Sequence, residues 1–308
     1  MTEDIEFTDP NGNTAQPSES GTVIPETDRS ITDHDIARYL LQYLLDCRGI
    51  CHENMLLVVL GKLQKYTQDP TSQVCSTDKL VEIIKGINVK LNPLGYKISS
   101  VGHGMGKNNV SSMLKDTGLP SNNRFYVYVN TVTSEESKLA TRFSTREIEF
   151  IKWCVEKMCV SRDCEVIIDC PIITEVDRIR NDVSWNKCIT YSVESSEFFQ
   201  YKDWSPIEIE SLLFKLCGLK WFAKDENGRI SMDLRCSVEL EEYLIANGIS
   251  TCENCHRLAL QGTRCTSCSR SWHVDCYQHR ITHIGKYCPC GESILQNGMY
   301  IVCLLYTS

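Results

Sequence analysis

Residues 252–290 read CENCHRLALQGTRCTSCSRSWHVDCYQHRITHIGKYCPC and contain four close pairs of cysteine or histidine side chains. The pairs are Cys252 with Cys255, Cys265 with Cys268, His273 with Cys276, and Cys288 with Cys290. Two residues separate the members of the first three pairs, which lets one tight turn present both ligand atoms to one ion. Thiolate and imidazole are ligands that structural zinc prefers. The stretch therefore predicts two zinc ions held by these eight side chains.

The rest of the chain favours metal over disulfide bonds. Four acidic residues lie within the first nine, where a secretory signal needs positive charge and then an apolar run. No apolar run approaches the roughly 20 residues needed to cross a bilayer. These features predict a soluble intracellular protein with no membrane partner, in which 18 cysteines indicate metal binding or plain burial.

Spacing alone does not show which pairs share an ion. Sequential pairing would join the first pair with the second, as in zinc ribbons, and interleaved pairing would join the first with the third. The order of four cysteines, one histidine and three cysteines resembles RING-like and PHD-type fingers, which both interleave. A PHD finger usually has Trp where this chain has Lys286, so a RING variant is expected. One ion would then be bound by Cys252, Cys255, His273 and Cys276, and the other by Cys265, Cys268, Cys288 and Cys290.

Before the cysteine pairs, the chain predicts a disordered acidic tail (1–31) and a first module (32–134). The tail has almost no bulky apolar side chains with which to offset the entropy of ordering. In the first module, apolar residues recur at helical spacing, most clearly over 80–91, and two strand-like runs follow at 96–101 and 125–129. Three helices and then a two-stranded hairpin is the order of a winged helix.

A second module (135–250) repeats this order less regularly. Capping boxes begin helices at Ser144 and Ser205, and Asn227-Gly228 is a strong hairpin signal. Short β-branched runs at 166–168 and 188–193 indicate strands, and one further helix is expected over about 238–246. We interpret this module as a second winged helix.

The fold class predicted is multi-domain α+β: two tandem winged helices, then a RING-like segment (251–295) and a C-terminal hydrophobic segment (296–308). Residues 299–306 carry no charge and are β-prone, so an exposed position would make them an aggregation edge. They are therefore expected to pack against the chain or to be covered by a partner.

Several segments resemble one family, non-SMC element one, most closely its budding-yeast members. They are residues 39–45 (YLLQYLL), 48–54 (RGICHEN), 88–92 (NVKLN), 95–98 (GYKI), 138–143 (KLATRF), 216–222 (LCGLKWF), 233–236 (DLRC) and 272–276 (WHVDC). This family is the RING-like subunit of the structural-maintenance-of-chromosomes five-six complex. The resemblance implies two winged helices, a variant RING, a MAGE-type winged-helix partner and a kleisin. It further implies ubiquitin-ligase activity with a conjugating enzyme, in DNA repair, on chromatin in the nucleus.

The chain departs from the family and from active RINGs in ways that bear on activity. The family's last ligand pair has two intervening residues, whereas Pro289 alone separates Cys288 from Cys290. His279 and His283 could substitute as ligands, although surface histidines are the more ordinary interpretation. Active RINGs usually dock the conjugating enzyme on an apolar residue between the first two ligands, where this chain has Glu253 and Asn254. Pro289 matches the other usual docking residue, but Gly291 replaces the basic residue that clamps ubiquitin.

Asn254 and Pro289 are thus the expected docking residues, and the isolated chain is expected to be a weak ligase that its partner stimulates. Two alternatives remain at this point. One is a non-catalytic subunit in which zinc only supports a protein-binding surface. The other is an adaptor that binds DNA through the first winged helix.

The charge pattern makes DNA binding a local question. The net charge of −8 excludes a uniformly basic nucleic-acid binder, yet residues 35–134 carry seven acids and eleven bases. The candidate phosphate contacts are Lys79, Lys85, Lys97 and Lys107. The last of these ends a glycine loop (102–107, GHGMGK) that lacks the spacing of a phosphate-binding loop and is expected to be a flexible wing tip.

Overall fold

The computed structural model describes residues 31–66, 76–108, 110, 117–131, 143–160, 165–169 and 187–302. The predicted tail, apart from its last residue, and residues 303–308 lie outside the described part. None of the described helices is long and apolar enough to span a membrane.

The described residues of the first module include three long helices and an antiparallel sheet. Its elements are α1 (Asp33–Asp46), β1 (Ile50–His52), α2 (Glu53–Gln64), α3 (Thr77–Leu91), β2 (Tyr96–Gly102) and β3 (Arg124–Asn130). The strand order is β1-β3-β2. Thr32 begins α1 with a capping box, and the Ser76 hydroxyl accepts from the backbone N–H of Lys79 at the start of α3. The predicted helices and hairpin are present, with β1 as an additional strand; the winged-helix assignment stays a prediction.

Four α-helices and four strands lie in the described residues of the second module. They are α4 (Thr145–Val155), β4 (Glu165–Asp169), β5 (Lys187–Glu194), α5 (Pro206–Gly218), β6 (Phe222–Lys224), β7 (Arg229–Met232), α6 (Leu234–Glu239) and α7 (Glu241–Ala246). A π-helical turn, Glu156–Val160, continues α4. Both predicted capping boxes form, at Ser144 and Ser205. Its core is built around fully buried aromatic rings such as Phe150, Phe198 and Trp221.

One helix of the second module differs from its prediction. The single helix expected over 238–246 is two short helices, α6 and α7, that meet at Leu240. The Asp233 carboxylate accepts from the backbone N–H of Leu234, so the first helix begins at Leu234, four residues earlier than expected. The sequence has no apolar stripe long enough to show this earlier start.

The RING-like segment is completed by the hydrophobic segment that follows it. Its elements are β8 (Gly262–Cys265), β9 (Ser271–Trp272) and α8 (Val274–His283), followed by α9 (Ile294–Asn297) and β10 (Gly298–Val302). One sheet runs in the order β6-β7-β5-β10-β8-β9, with β4 paired to β5. β10 is parallel to β5 and antiparallel to β8, and Ile301 in it is fully buried. The prediction that the hydrophobic segment packs against the chain is therefore confirmed for residues 298–302.

The expectation of a flexible wing tip is wrong. The glycine loop turns from β2 into the RING-like segment, and His103, Gly104, Met105 and Gly106 in it are all buried. Met105 is fully buried and packs in one cluster with Trp272 and Val274. An apolar side chain between two glycines favours this position, because the backbone approaches its neighbour where a Cβ atom would collide.

A buried arginine links the first and second modules. Arg235, on α6, is 2% exposed and forms an ion pair with Glu239, with 2.9 Å between Nε and Oε1. Its Nη1 donates to the carbonyl oxygen of Arg48 at 2.6 Å, at the turn that follows α1. Gly49, with φ +81°, lies against this guanidinium, so the turn depends on a residue that tolerates the left-handed region.

Candidate metal centre

Each of the three pairs made of two cysteines lies on a tight turn, and the three turns have similar geometry. In the first, the N–H of Cys252 donates to Arg257 O and the N–H of His256 to Cys252 O, both at 2.8 Å. The turn at Cys265 repeats both bonds at 2.9 Å, with Arg270 and Ser269 as partners. The residue after each pair has a left-handed backbone, with φ +59° at His256 and +62° at Ser269. Both sulfurs of each pair thereby face one point.

The shortened pair keeps the same turn one residue tighter. The N–H of Cys288 donates to Glu292 O at 2.8 Å, and the N–H of Gly291 donates to Cys288 O at 2.9 Å. Gly291 takes the left-handed position with φ +93°. This φ lies beyond the +59° and +62° that His256 and Ser269 adopt in the other two turns, which favours glycine after the last ligand. The Cys288-Pro-Cys290 spacing does not prevent the two sulfurs from facing the same point.

The ligand atoms gather in two interleaved sets. Within each set they lie within 4.8 Å of one another. The sets are Cys252, Cys255, His273 and Cys276, called here the first cluster, and Cys265, Cys268, Cys288 and Cys290, called the second cluster. The structure thus answers the question that spacing left open: the first pair joins the third, and the second pair joins the fourth.

The distances fit a tetrahedral ion with thiolate and imidazole ligands. Ideal tetrahedral zinc places two sulfurs about 3.8 Å apart and a sulfur and a nitrogen about 3.6 Å apart. In the second cluster the Sγ atoms of Cys265 and Cys290 are 3.8 Å apart, and those of Cys268 and Cys288 are 3.4 Å apart. In the first, Cys255 Sγ lies 3.2 Å from His273 Nδ1. Four protein ligands around each point make both sites closed, which is the structural kind.

His273 is oriented by its second nitrogen. Its Nε2–H donates to the carbonyl oxygen of Leu258 at 2.9 Å, so the unprotonated Nδ1 faces the sulfurs. A carbonyl partner of this kind fixes the tautomer and the ring plane of a ligating histidine. At the second cluster, the backbone N–H of Glu292 lowers the pKa of the Cys290 thiol to about 7, which favours the thiolate that binds metal.

Two of the histidines considered from the sequence belong to neither set. His279 and His283 lie on exposed turns of α8 with ring centroids 4.6 Å apart. Neither joins the two ligand groups found among the described residues. The surface interpretation therefore fits both, and the shortened pair needs no substitute ligand.

The other predicted site residues are dispersed. Asn254 and Pro289 are both exposed, each between two ligands of a different cluster. Lys85, Lys97 and Lys107 are exposed, whereas Lys79 is half-buried and pairs with Glu82 at 3.6 Å. They come from α3, β2 and the glycine loop, and DNA contact by them stays a prediction.

The sequence did not single out the contacts around the first cluster. A cavity of about 310 Å³ adjoins it, lined by Cys255 and His273, by the glycine loop and by Glu241 of α7. Burial lowers the pKa of His103 in its wall to about 3, which keeps that ring neutral. Asp275, between two ligands, accepts hydrogen bonds from the first module. These contacts join distant parts of the chain, and the two glycines around Met105 are their only local signal.

Comparison with known proteins gives a consistent result. The family described as the Nse1 non-SMC component of the SMC5-6 complex matches residues 37–240, and a RING-like domain matches residues 252–290. Non-structural maintenance of chromosomes element 1 of Saccharomyces cerevisiae is 40% identical, with 88% of this chain and 97% of the relative covered. The human homolog is 24% identical, with 83% and 84% covered.

A solved structure shares the fold. A chain of the structure named "Nse1-Nse3-Nse4 complex" aligns with a TM-score of 0.59 over 86% of this chain and 97% of its own length, at 20% identity. The family match spans more than half of the chain, and the yeast relative covers most of it. The chain therefore belongs to the Nse1 family, the RING-like non-SMC component of the SMC5-6 complex.

Proposed function

We propose that this chain is the RING-type ubiquitin-ligase subunit of an SMC5-6 complex, acting in DNA repair on chromatin in the nucleus. The observation that carries the proposal is the pair of interleaved clusters, whose ligand order and pairing are those of a RING. Zinc in both clusters would fold the segment and take no part in the transfer.

The metal part of the proposal is two zinc ions for each chain. The two donor sets, three thiolates with one imidazole and four thiolates, are both sets that structural zinc uses. The sulfur–sulfur distances of 3.8 and 3.4 Å in the second cluster and the fixed orientation of His273 support it. Binding would stabilise a segment in which the described residues form one helix of ten residues and two strands of four and two residues.

A RING contributes no nucleophile to ubiquitin transfer. It binds a conjugating enzyme with its linked ubiquitin in a reactive orientation, so the gain in rate is positional and entropic. The chain exposes Asn254 and Pro289 for this docking, with Ile284 and Tyr287 exposed on the polypeptide leading to Pro289. Their side chains are 62% and 65% exposed and provide apolar area that the sequence motif alone did not indicate.

The tight turn at Gly291 explains why the isolated chain would be weak. Active RINGs place a basic side chain after the last ligand, and here that position has φ +93°. A side chain with a Cβ atom would be strained in this conformation. The contact that clamps ubiquitin must then come from another subunit, which predicts stimulation by a partner.

The partners proposed are the MAGE-type winged-helix subunit and the kleisin. The solved structure with this fold is of a complex that its name gives as Nse1, Nse3 and Nse4. In this chain, α5 exposes Ile207 and Phe214, seven residues apart and 80% and 82% exposed. Apolar side chains this exposed on one helix face are typical of a surface that another protein covers.

The test is ubiquitin-chain synthesis by the full chain, with and without the MAGE-type subunit, across a panel of conjugating enzymes. We expect low activity alone and clear stimulation in the complex. Pro289→Ala should reduce the stimulated rate, and Ile167→Ala, an exposed position on β4, serves as the matched control. No transfer by the assembled complex with any enzyme would instead favour the non-catalytic, zinc-supported interaction subunit.

A further inference from the structure

We propose that the glycine loop and Asp275 form a latch that holds the first cluster closed, so that retention of its metal ion depends on the first module. The inference rests on the metal-binding part of the proposed function and is independent of ubiquitin transfer. It assigns to a loop of one module a positioning role at a site whose ligands all lie in another segment.

The first element of the latch is a backbone contact with no room for a side chain. The N–H of Val274 donates to Gly104 O at 2.8 Å. A Cβ atom on Gly104 would lie 2.4 Å from the backbone oxygen of Gln261, closer than any real contact of that kind. Val274 directly follows the ligand His273. The loop therefore lies against the backbone of the first cluster with glycine as the residue that permits it.

The second element is the carboxylate of Asp275. Its Oδ2 accepts from Asn123 Nδ2 at 2.9 Å, and its Oδ1 accepts from the N–H of Lys107 at 3.4 Å. The same Asn123 amide donates to His103 O at 3.0 Å and so joins the loop to the residue that precedes β3. Asp275 lies between the ligands His273 and Cys276. Hydrogen bonds to a carboxylate are stronger than those to a neutral acceptor, and the 2.9 Å bond from Asn123 is the shorter of the two.

The third element is apolar. Met105 is fully buried, with 0% of its surface accessible to solvent. It packs in the core cluster that contains Cys252 and Trp272. Withdrawal of the loop would leave a void of one methionine side chain beside a ligand. Such voids destabilise a core in proportion to their volume.

These contacts act on the first cluster because they hold half of its ligands. His273 and Cys276 flank the two residues that the latch grips, and an ion held by four ligands leaves only after some of them separate. The ligands of the second cluster lie on the turns at 265–268 and 288–290. The latch therefore predicts a selective effect: its loss should speed metal release from the first cluster more than from the second.

The test uses the full chain loaded with cadmium, whose NMR shift distinguishes four thiolates from three thiolates and an imidazole. A chelator is added and the loss of each signal is followed. Asn123→Asp turns a donor into a carboxylate facing Asp275, and we expect release from the first cluster to become about tenfold faster. The double variant N123D/D275N restores a donor and an acceptor in exchanged positions and should return the rate toward that of the original chain.

Two glycine variants provide an independent pair. Gly104→Ala should accelerate release from the first cluster, whereas Gly86→Ala, where an added Cβ meets nothing within 4 Å, should leave both rates unchanged. Equal rates in N123D and the original chain, or equal acceleration at both clusters, would overturn the latch. A chain that binds no cadmium at all would overturn the proposed metal sites as well, which separates the two failures.

Discussion

Replacing Arg235 by Met is the sharpest test of how the two modules are held together. The ion pair of Arg235 with Glu239 is almost completely buried, with the two residues 2% and 5% exposed. The variant removes the cation that pairs with the buried Glu239 carboxylate, and it removes the donor to the carbonyl oxygen of Arg48. Breaking a buried pair by removing one member costs about 3–5 kcal/mol. That is a large fraction of the about 5–15 kcal/mol by which domains are stable.

The assay is urea unfolding followed by tryptophan fluorescence, since the Arg235 guanidinium lies 5.9 Å from the ring centre of Trp221. The double variant R235M/E239L removes both charges and should recover much of the loss, because an apolar pair has no charge to desolvate. Lys79→Met removes a pair with Glu82 in which the side chains are 31% and 74% exposed, and it should cost less than about 1 kcal/mol. If Arg235→Met lowers the free energy of unfolding by less than about 1 kcal/mol, the argument that the Arg235 contacts stabilise the fold is refuted.

Four further outcomes are expected. Burial raises the pKa of Asp233 from 3.8 to about 6, so the folded chain binds this proton more tightly than the unfolded chain. The free energy of unfolding, measured by urea titration and compared with that of Asp233→Asn, should therefore fall as pH rises from about 4 to 7. Elemental analysis should find two zinc ions in the full chain and fewer in Cys252→Ser, whereas one ion in the original chain would exclude metal binding by the shortened pair. Deleting 298–308 uncovers the edges of β5 and β8 and should lower the soluble yield; an unchanged yield and unchanged partner binding would contradict this. Gly291→Arg should weaken the second cluster in chelator competition, because φ +93° strains a residue with a Cβ atom.

Local signals in the sequence were enough to place much of the fold. The capping boxes at Ser144 and Ser205 form as expected, because a hydroxyl three residues before a carboxylate satisfies backbone donors whatever surrounds it. The short β-branched runs near 166–168 and 188–193 form β4 and β5 as expected, because β-branched side chains favour extended backbone locally. The spacing of the pairs located all eight ligands, since each turn is determined by a few residues, and the resemblance to RING-like fingers gave their division into two sets.

What the sequence could not show depends on contacts between distant segments. The glycine loop was expected to be a wing tip because its two glycines are compatible with a close backbone contact but do not identify Val274, far along the chain, as the partner. The pairing of β10 with β5 is parallel and joins residues more than 100 positions apart, which no local pattern encodes. From the sequence, Asp275 is an ordinary acidic residue in the first turn of a helix, and only the folded structure shows that Asn123 donates to it.

The position of β10 also determines how the fold would respond to force. In the described part of the chain, the sheet passes from β5 to β8 through β10, which pairs with three residues of one strand and four of the other. A pull along the strands, with the second module held and the cysteine turns drawn away, would load the hydrogen bonds on one side of β10 together and not one after another. Bonds loaded in parallel share the tension, so the pairing of β10 with its neighbour would break at a high force and in a single step. In a subunit of the SMC5-6 complex, the segment that contains the two clusters would then keep its orientation under load up to a sharp threshold.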